Sequence, residues 1–135
     1  MQVQPYLSFE GRCEEAINFY KSAVGAEVVM MMRFKEAPDQ SMMTPGTGDK
    51  ILHAALRVGD STVLASDGQC MGKAVFQGIT LSLTASNDAE AKRLFDALAN
   101  GGNVQMPLAK TFFATSFGIV ADKFGVAWML YVPTS

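Results

Sequence analysis

The sequence predicts an α+β fold made of two βαβββ modules. The first observation behind this is a repeat: Glu15-Ala16, Tyr20, Gly25 and Val28 recur as Glu90-Ala91, Phe95, Gly101 and Val104. The second is that each copy follows a short β-type run and precedes further such runs, the pattern left by duplication of one small unit. The third is length. At 135 residues there is room for one domain, or for two modules too small to stand alone that share a core. The expected division is module one over 1–67, a linker over 68–77 and module two over 78–135, together one domain.

The elements follow in order. Gln4 to Phe9 reads as a strand, broken by Gly11. From Arg12 to Val24, Cys13, Ala16, Ile17, Tyr20 and Val24 fall at helical spacing, with Glu14 and Glu15 in the first turn where the helix dipole favours them. Gly25 suits a left-handed cap. Ala26 to Phe34 is apolar and β-leaning, ending in Met30, Met31 and Met32. Pro38 to Lys50 is a long connection rich in Gly, Pro, Ser, Thr and Asp, expected as a flexible loop over the site mouth. Its Gly46-Thr47-Gly48-Asp49-Lys50 stretch lacks the GxxxxGK[ST] spacing of a phosphate loop, and no strand leads into it. Ile51 to Val58 and Thr62 to Ser66 flank Gly59-Asp60-Ser61 and predict a hairpin.

The second copy opens with a strand over Gly78 to Thr84. Asn87 with Glu90 three residues on resembles a capping box, and Ala91, Leu94, Phe95 and Leu98 form the apolar stripe of a helix ending at Gly101-Gly102. Val104 to Thr111, Ala114 to Ala121 and Val126 to Val132 read as strands, the last two joined by the turn Asp122-Lys123-Phe124-Gly125.

Composition narrows the function. With 49% hydrophobic and 18% charged residues the chain can bury a core. A net charge of -2 argues against a nucleic-acid partner, which needs clustered Lys and Arg. No apolar run reaches membrane-span length, so no membrane partner is expected. Met1-Gln2-Val3-Gln4-Pro5 lacks a basic start followed by an apolar stretch, and a cytoplasmic location is expected. Cys13 and Cys70 have no CxxC spacing and suggest neither a disulfide framework nor a zinc knuckle.

Pro5-Tyr6-Leu7-Ser8-Phe9, the helix Ala16-Ile17-Asn18-Phe19-Tyr20 with Gly25, and the run from Phe117 through Gly125 to Trp128 closely resemble the PhnB-like family. Ile51-Leu52-His53-Ala54 and Ala65-Ser66-Asp67 add to the match. That family belongs to the vicinal-oxygen-chelate superfamily, with glyoxalase I, bleomycin-resistance proteins and extradiol dioxygenases. The resemblance implies a curved eight-stranded sheet around a central cleft and a homodimer. In the superfamily's metalloenzymes the first and fourth strands of each module each supply one His or Glu ligand to a divalent metal. Aligned to that pattern, the four positions here are Pro5, Leu64, Gly78 and Met129, and none suits a hard metal. The neighbouring Gln4, Asp67 and Gln77 offer one carboxylate and two amides, a poor cage. No metal and no cofactor are therefore expected. A glycine-rich cofactor loop after a first strand is also missing.

His53 is the sole histidine, so a His-pair metal site is ruled out by count, and no serine sits in a G-x-S-x-G turn. Strand alternation puts His53 and Arg57 on one face, opposite Leu52, Ala54, Leu56 and Val58. His53 is the candidate for acid-base work, though a lone strand histidine is more often structural; Arg57 is a candidate for an anionic ligand group, or a solvated edge charge. Thr80 and Ser82 alternate against Ile79 and Leu81 and are expected to line the cleft with Met129 and His53. Phe112, Phe117 and Met129 complete a ligand-binding set suited to a small apolar or aromatic guest. The leading expectation is a metal-independent small-molecule-binding protein; the alternative is a lyase, isomerase or dioxygenase with a divergent metal site or one using His53.

Overall fold

Strand, helix and three strands occur twice in succession, as the repeat predicts. The structure is a computed structural model and describes residues 1–39, 41 and 45–134. Gln40, Met42, Met43 and Thr44, which belong to the expected loop over the site mouth, and Ser135 lie outside the described residues. Two units divide the chain, Met1–Ala74 and Val75–Ser135.

In the first unit β1 (Tyr6–Ser8), α1 (Cys13–Val24), β2 (Glu27–Arg33), β3 (Ile51–Val58) and β4 (Ser61–Ser66) form a sheet in the order β1-β4-β3-β2 with one helix. β1 runs parallel to β4, and the other pairs are antiparallel. The helix buries Cys13, Ala16, Ile17, Tyr20 and Ala23, the apolar stripe that a 3.6-residue period places on one side. Val24, expected in that stripe, is only half-buried and Ala23 takes its place. Gly25 ends the helix at φ 68 and ψ 30, the left-handed conformation that a Cβ disfavours, and its N–H donates to the Tyr20 carbonyl. Beneath the helix, Leu7, Ala54, Leu56, Val63 and Ala65 supply the buried face of the sheet.

In the second unit β5 (Thr80–Thr84), α2 (Asp88–Ala99), β6 (Asn103–Ala109), β7 (Ala114–Ala121) and β8 (Ala127–Pro133) repeat the topology in the order β5-β8-β7-β6, with β5 parallel to β8. α2 buries the expected Ala91, Leu94, Phe95 and Leu98 and packs against β6, β7 and β8. The eight expected strands are thus present, four to each sheet.

The duplication extends to an irregularity no pattern of residue types announces. β2 carries a register shift between Val28 and Met30, and β6 carries one between Val104 and Met106. An extra residue at such a bulge changes which face the following side chains take. Both bulged strands are sheet edges and expose most of their length, including Val29 and Met30 on β2 and Val104 and Met106 on β6.

Several boundaries differ from expectation. β1 is shorter than the run Gln4 to Phe9, although the Phe9 N–H still donates to the Ser66 carbonyl at 2.8 Å. β5 starts at Thr80 because Gly78 takes φ 77, outside strand geometry. Past β2 the chain turns once as a 3-10 helix over Phe34–Glu36 and anchors Phe34 in the core. Among the described residues no helix is long and apolar enough to cross a membrane.

Candidate functional site

Each sheet has one face under its helix and one face away from it. On the second sheet, Leu81 pairs with Trp128 and Leu83 with Leu130, and Trp128, Leu130 and Val120 are buried on the helix side. Alternation sends Thr80, Ser82 and Thr84 to the other face with their partners Ala127, Met129 and Tyr131. Ile119 opposite Met129 and Phe117 opposite Tyr131 join them from β7. Phe117, Ile119, Met129 and Tyr131 are only half-buried, so this open face is an apolar floor with a hydroxyl row along one edge.

A run of aromatic rings leads onto that floor from the β6–β7 connection. Phe112 is 96% exposed, its ring centroid is 5.1 Å from that of Phe113, and Phe113 is in turn 5.1 Å from Phe117 and 6.3 Å from Tyr131. The near-perpendicular and tilted arrangements suit the quadrupoles of the rings. The connection is tied by the Thr111 N–H donating to the Ala114 carbonyl and the Phe113 N–H donating to Thr111 Oγ1. β6 comes close to β7 because residue 118 is glycine: a Cβ there would lie 2.8 Å from Leu108 Cα. The Thr115 and Ser116 hydroxyls both donate to Asp88 Oδ1 at 2.7 Å, joining the start of α2 to β7 and holding the Asp88 carboxyl below its ordinary pKa, Thr115 first.

The open face of the first sheet carries different chemistry on the same register. His53, Ala55 and Arg57 lie on β3, Leu64 on β4 opposite Ala55, and Tyr6 on β1 opposite Leu64. The Tyr6 and His53 rings meet edge to face, with centroids 5.6 Å apart at 74°. Arg57 is ion-paired with Glu27 at 2.5 Å, with both side chains more than half exposed. Its guanidinium is therefore a surface charge with a partner.

The positions aligned with metal ligands from the sequence, Pro5, Leu64, Gly78 and Met129, carry no side-chain donor for a hard divalent ion. Across β1 and β4 Tyr6 stands opposite Leu64, whose N–H donates to the Pro5 carbonyl at 2.9 Å, and across β5 and β8 Ser82 stands opposite Met129. Phenol, hydroxyl, Leu and thioether do not fit a hard divalent ion. Among the described residues, no group of three His, Cys, Asp or Glu side chains gathers as a metal site.

Asp67, the one carboxylate near those positions, has another task. It is 1% exposed and accepts from the N–H groups of Gly11 at 2.8 Å, Cys13 at 2.7 Å and Ile51 at 2.7 Å. It therefore caps α1, whose own N-cap residue, Arg12, provides no side-chain bond. Near this cap is a hollow of 270 Å³ lined by Gly11, Arg12, Glu14, Glu15, Asp49, Lys50 and Asp67. Arg12 pairs there with Glu15, Arg33 with Glu14 and Lys35 with Asp49, and the Lys50 ammonium donates to the Gly11 carbonyl at 2.8 Å. The two thiols are not activated: burial pushes Cys13 far up, aided by Asp67 and Glu14, and burial also raises Cys70.

Of the residues singled out from sequence, Thr80, Ser82, Phe117 and Met129 share one face, with Phe112 at the exposed end of its aromatic run, and His53 and Arg57 share another. Tyr6, Phe113, Ile119 and Tyr131 were missed. Tyr131 was within reach, because it is two residues from Met129 on one strand. Tyr6 was not, because its nearness to His53 depends on the stagger of β1 against β4.

Comparison with known proteins gives consistent findings. Protein YjdN of Escherichia coli K12 is 40% identical over 142 residues, covering 98% of this chain and 95% of its own length. The crystal structure of protein PA1353 from Pseudomonas aeruginosa superposes with a TM-score of 0.87 at 42% identity, covering 100% of this chain and 99% of that one. A structure described as a putative 3-demethylubiquinone-9 3-methyltransferase, PhnB protein, from Bacillus cereus follows at 0.80 and 28% identity, covering 98% and 99%. A glyoxylase/bleomycin resistance protein/dioxygenase domain from Frankia, 15% identical with a TM-score of 0.66 over 98% of this chain and 95% of its own, shares the fold. The family model described as 3-demethylubiquinone-9 3-methyltransferase matches residues 1–131, and the chain belongs to this family.

Proposed function

We propose that the chain is a small-molecule-binding protein that holds an apolar or aromatic guest on the open face of its second sheet without a divalent metal. The observation that carries this reading is the half-exposed row Phe117, Ile119, Met129 and Tyr131, edged by Thr80, Ser82 and Thr84 and extended by Phe113 and Phe112. An apolar floor with a few hydroxyls at its margin is the usual lining of a small-molecule site. Aromatic rings supply large contact area at low entropic cost, and a methionine adapts to irregular shapes. The hydroxyls orient a guest through its polar groups. Arg57 stays with Glu27 in this reading, and His53 has no part in holding the guest.

The test has two arms. Native mass spectrometry of freshly purified protein looks for a co-purified small molecule, and fluorescence titration uses anilinonaphthalene sulfonate as an aromatic probe. Phe117→Ala is expected to weaken probe binding about tenfold, the equivalent of roughly 1.4 kcal/mol, with Met129→Ala close behind and His53→Ala without effect. Equal probe affinity in the wild-type, Phe117→Ala and Met129→Ala proteins would place the guest elsewhere and end the proposal.

A further inference from the structure

We propose that Met30, Met32 and His53 form a site for a soft monovalent metal ion, Cu(I) or Ag(I), on the open face of the first sheet. The bulge in β2 creates the arrangement. Before it Val28 pairs with Leu56, on the buried face of β3; after it Met30 pairs with Ala55, Met31 with Ala54 and Met32 with His53. The extra residue therefore moves Met30 and Met32 onto the face of His53, where an unbroken ladder would have left them on the helix side.

From Met30 to Met32 the pairing is regular, so standard spacings apply. Directly opposed residues such as Met32 and His53 have Cβ atoms about 4.5–5.5 Å apart. Met30 lies on the same side about 6.6 Å further along the strand. Those spacings fall within reach of two thioethers on three-bond stems and one imidazole closing on a single ion.

The donors fit the ion class. Thioether sulfur and imidazole are neutral, soft or borderline ligands, which favour Cu(I) over the hard divalent ions. A monovalent ion needs no carboxylate to balance it, and the nearest acid on β2, Glu27, is engaged by Arg57. Tyr6 meets the imidazole with its ring edge to face, the centroids 5.6 Å apart. Met30 is 42% exposed, so an ion reaches the site from solvent. The second sheet lacks an equivalent site, because Phe117 occupies in its register the place that His53 has in the first.

Ag(I), which does not change oxidation state, is the probe. In chloride-free buffer, the purified full chain is titrated with silver nitrate and followed by native mass spectrometry and by the methyl resonances of the methionines. One ion per chain is expected, shifting the Met30 and Met32 methyls. Affinity should fall by more than about tenfold, the loss already caused by removing an outer-shell partner at metal sites, in Met30→Leu/Met32→Leu and in His53→Gln. Both replacements sit on the exposed side of the sheet and preserve its volume. Cys70→Ser should bind as the parent does. No binding, binding unchanged in the Met and His variants, or binding lost in Cys70→Ser each overturns the proposal. These readouts are independent of guest binding on the second sheet.

Discussion

The two helices occupy equivalent places in a duplicated unit, yet they begin in different ways. α2 is capped by its neighbour in sequence: the Asn87 side chain accepts from the Glu90 N–H at 2.8 Å, and the Glu90 side chain reaches back to the Ser86 N–H at 2.9 Å. α1 is capped from the far end of its module by Asp67, which stands 54 residues beyond Cys13. A helix N-terminus needs acceptors for its free amides, and the fold supplies them either locally or by tertiary closure. The second route makes the helix, β4 and the start of β3 a single cooperative unit, since the same carboxylate also holds the Ile51 N–H.

The largest expected effect tests that claim. Asp67→Ala leaves three amides without their acceptor in a buried setting and should destabilise the protein by about 3–5 kcal/mol, measured by urea unfolding, whereas Asn87→Ala should cost about 1 kcal/mol. If the two substitutions cost the same, the distinction between remote and local capping has no energetic content.

The second unit has its own buried aspartate, and it sharpens the comparison. Asp122 is 3% exposed and accepts from the N–H groups of Phe124 at 2.9 Å and Val126 at 3.1 Å and from Trp128 Nε1 at 2.9 Å. Its partners lie within six residues, so it locks one turn rather than joining distant elements. Asp122→Ala should cost about 2–4 kcal/mol and change the emission of Trp128, the sole tryptophan. An emission spectrum identical to the parent's would mean that the indole keeps its surroundings without the carboxylate.

The smallest effect lies in the first helical turns. Glu14 is held below its ordinary pKa of 4.5 first by the hydrogen bond from Arg33, and Asp88 below 3.8 first by Thr115 and then by Ser116. A carboxyl whose folded pKa is lowered contributes stability that is complete above its unfolded pKa and disappears as pH falls through the folded value. Stability should therefore decline as pH drops below about 4.5, and Glu14→Gln and Asp88→Asn should each flatten that acid limb slightly. A limb of unchanged slope in both variants would assign the acid sensitivity to other carboxyls.

What the sequence made legible follows the distance between cause and effect along the chain. Asn87 and Glu90 announced a cap because both partners fall within one turn. The stripe Ala91, Leu94, Phe95 and Leu98, the Gly25 cap and the shared face of His53 and Arg57 were legible for the same reason. Asp67 was noticed only as a stray carboxylate, because nothing near residue 67 points to residues 11, 13 and 51. The bulges were invisible, and with them the fact that Met30 and Met32 face His53. Likewise the stagger that sets Tyr6 against Leu64 and Ser82 against Met129 is decided by strands meeting in space.

The remote cap also orders events in time. During synthesis the start of α1 emerges long before residue 67, so its first amides have only water to bond until β4 has been made and has folded back. Closing a loop of some fifty residues costs entropy that a cap within one turn never meets, so α2 can nucleate as soon as it appears. Although it comes later in the chain, the second helix has the shorter wait for its cap.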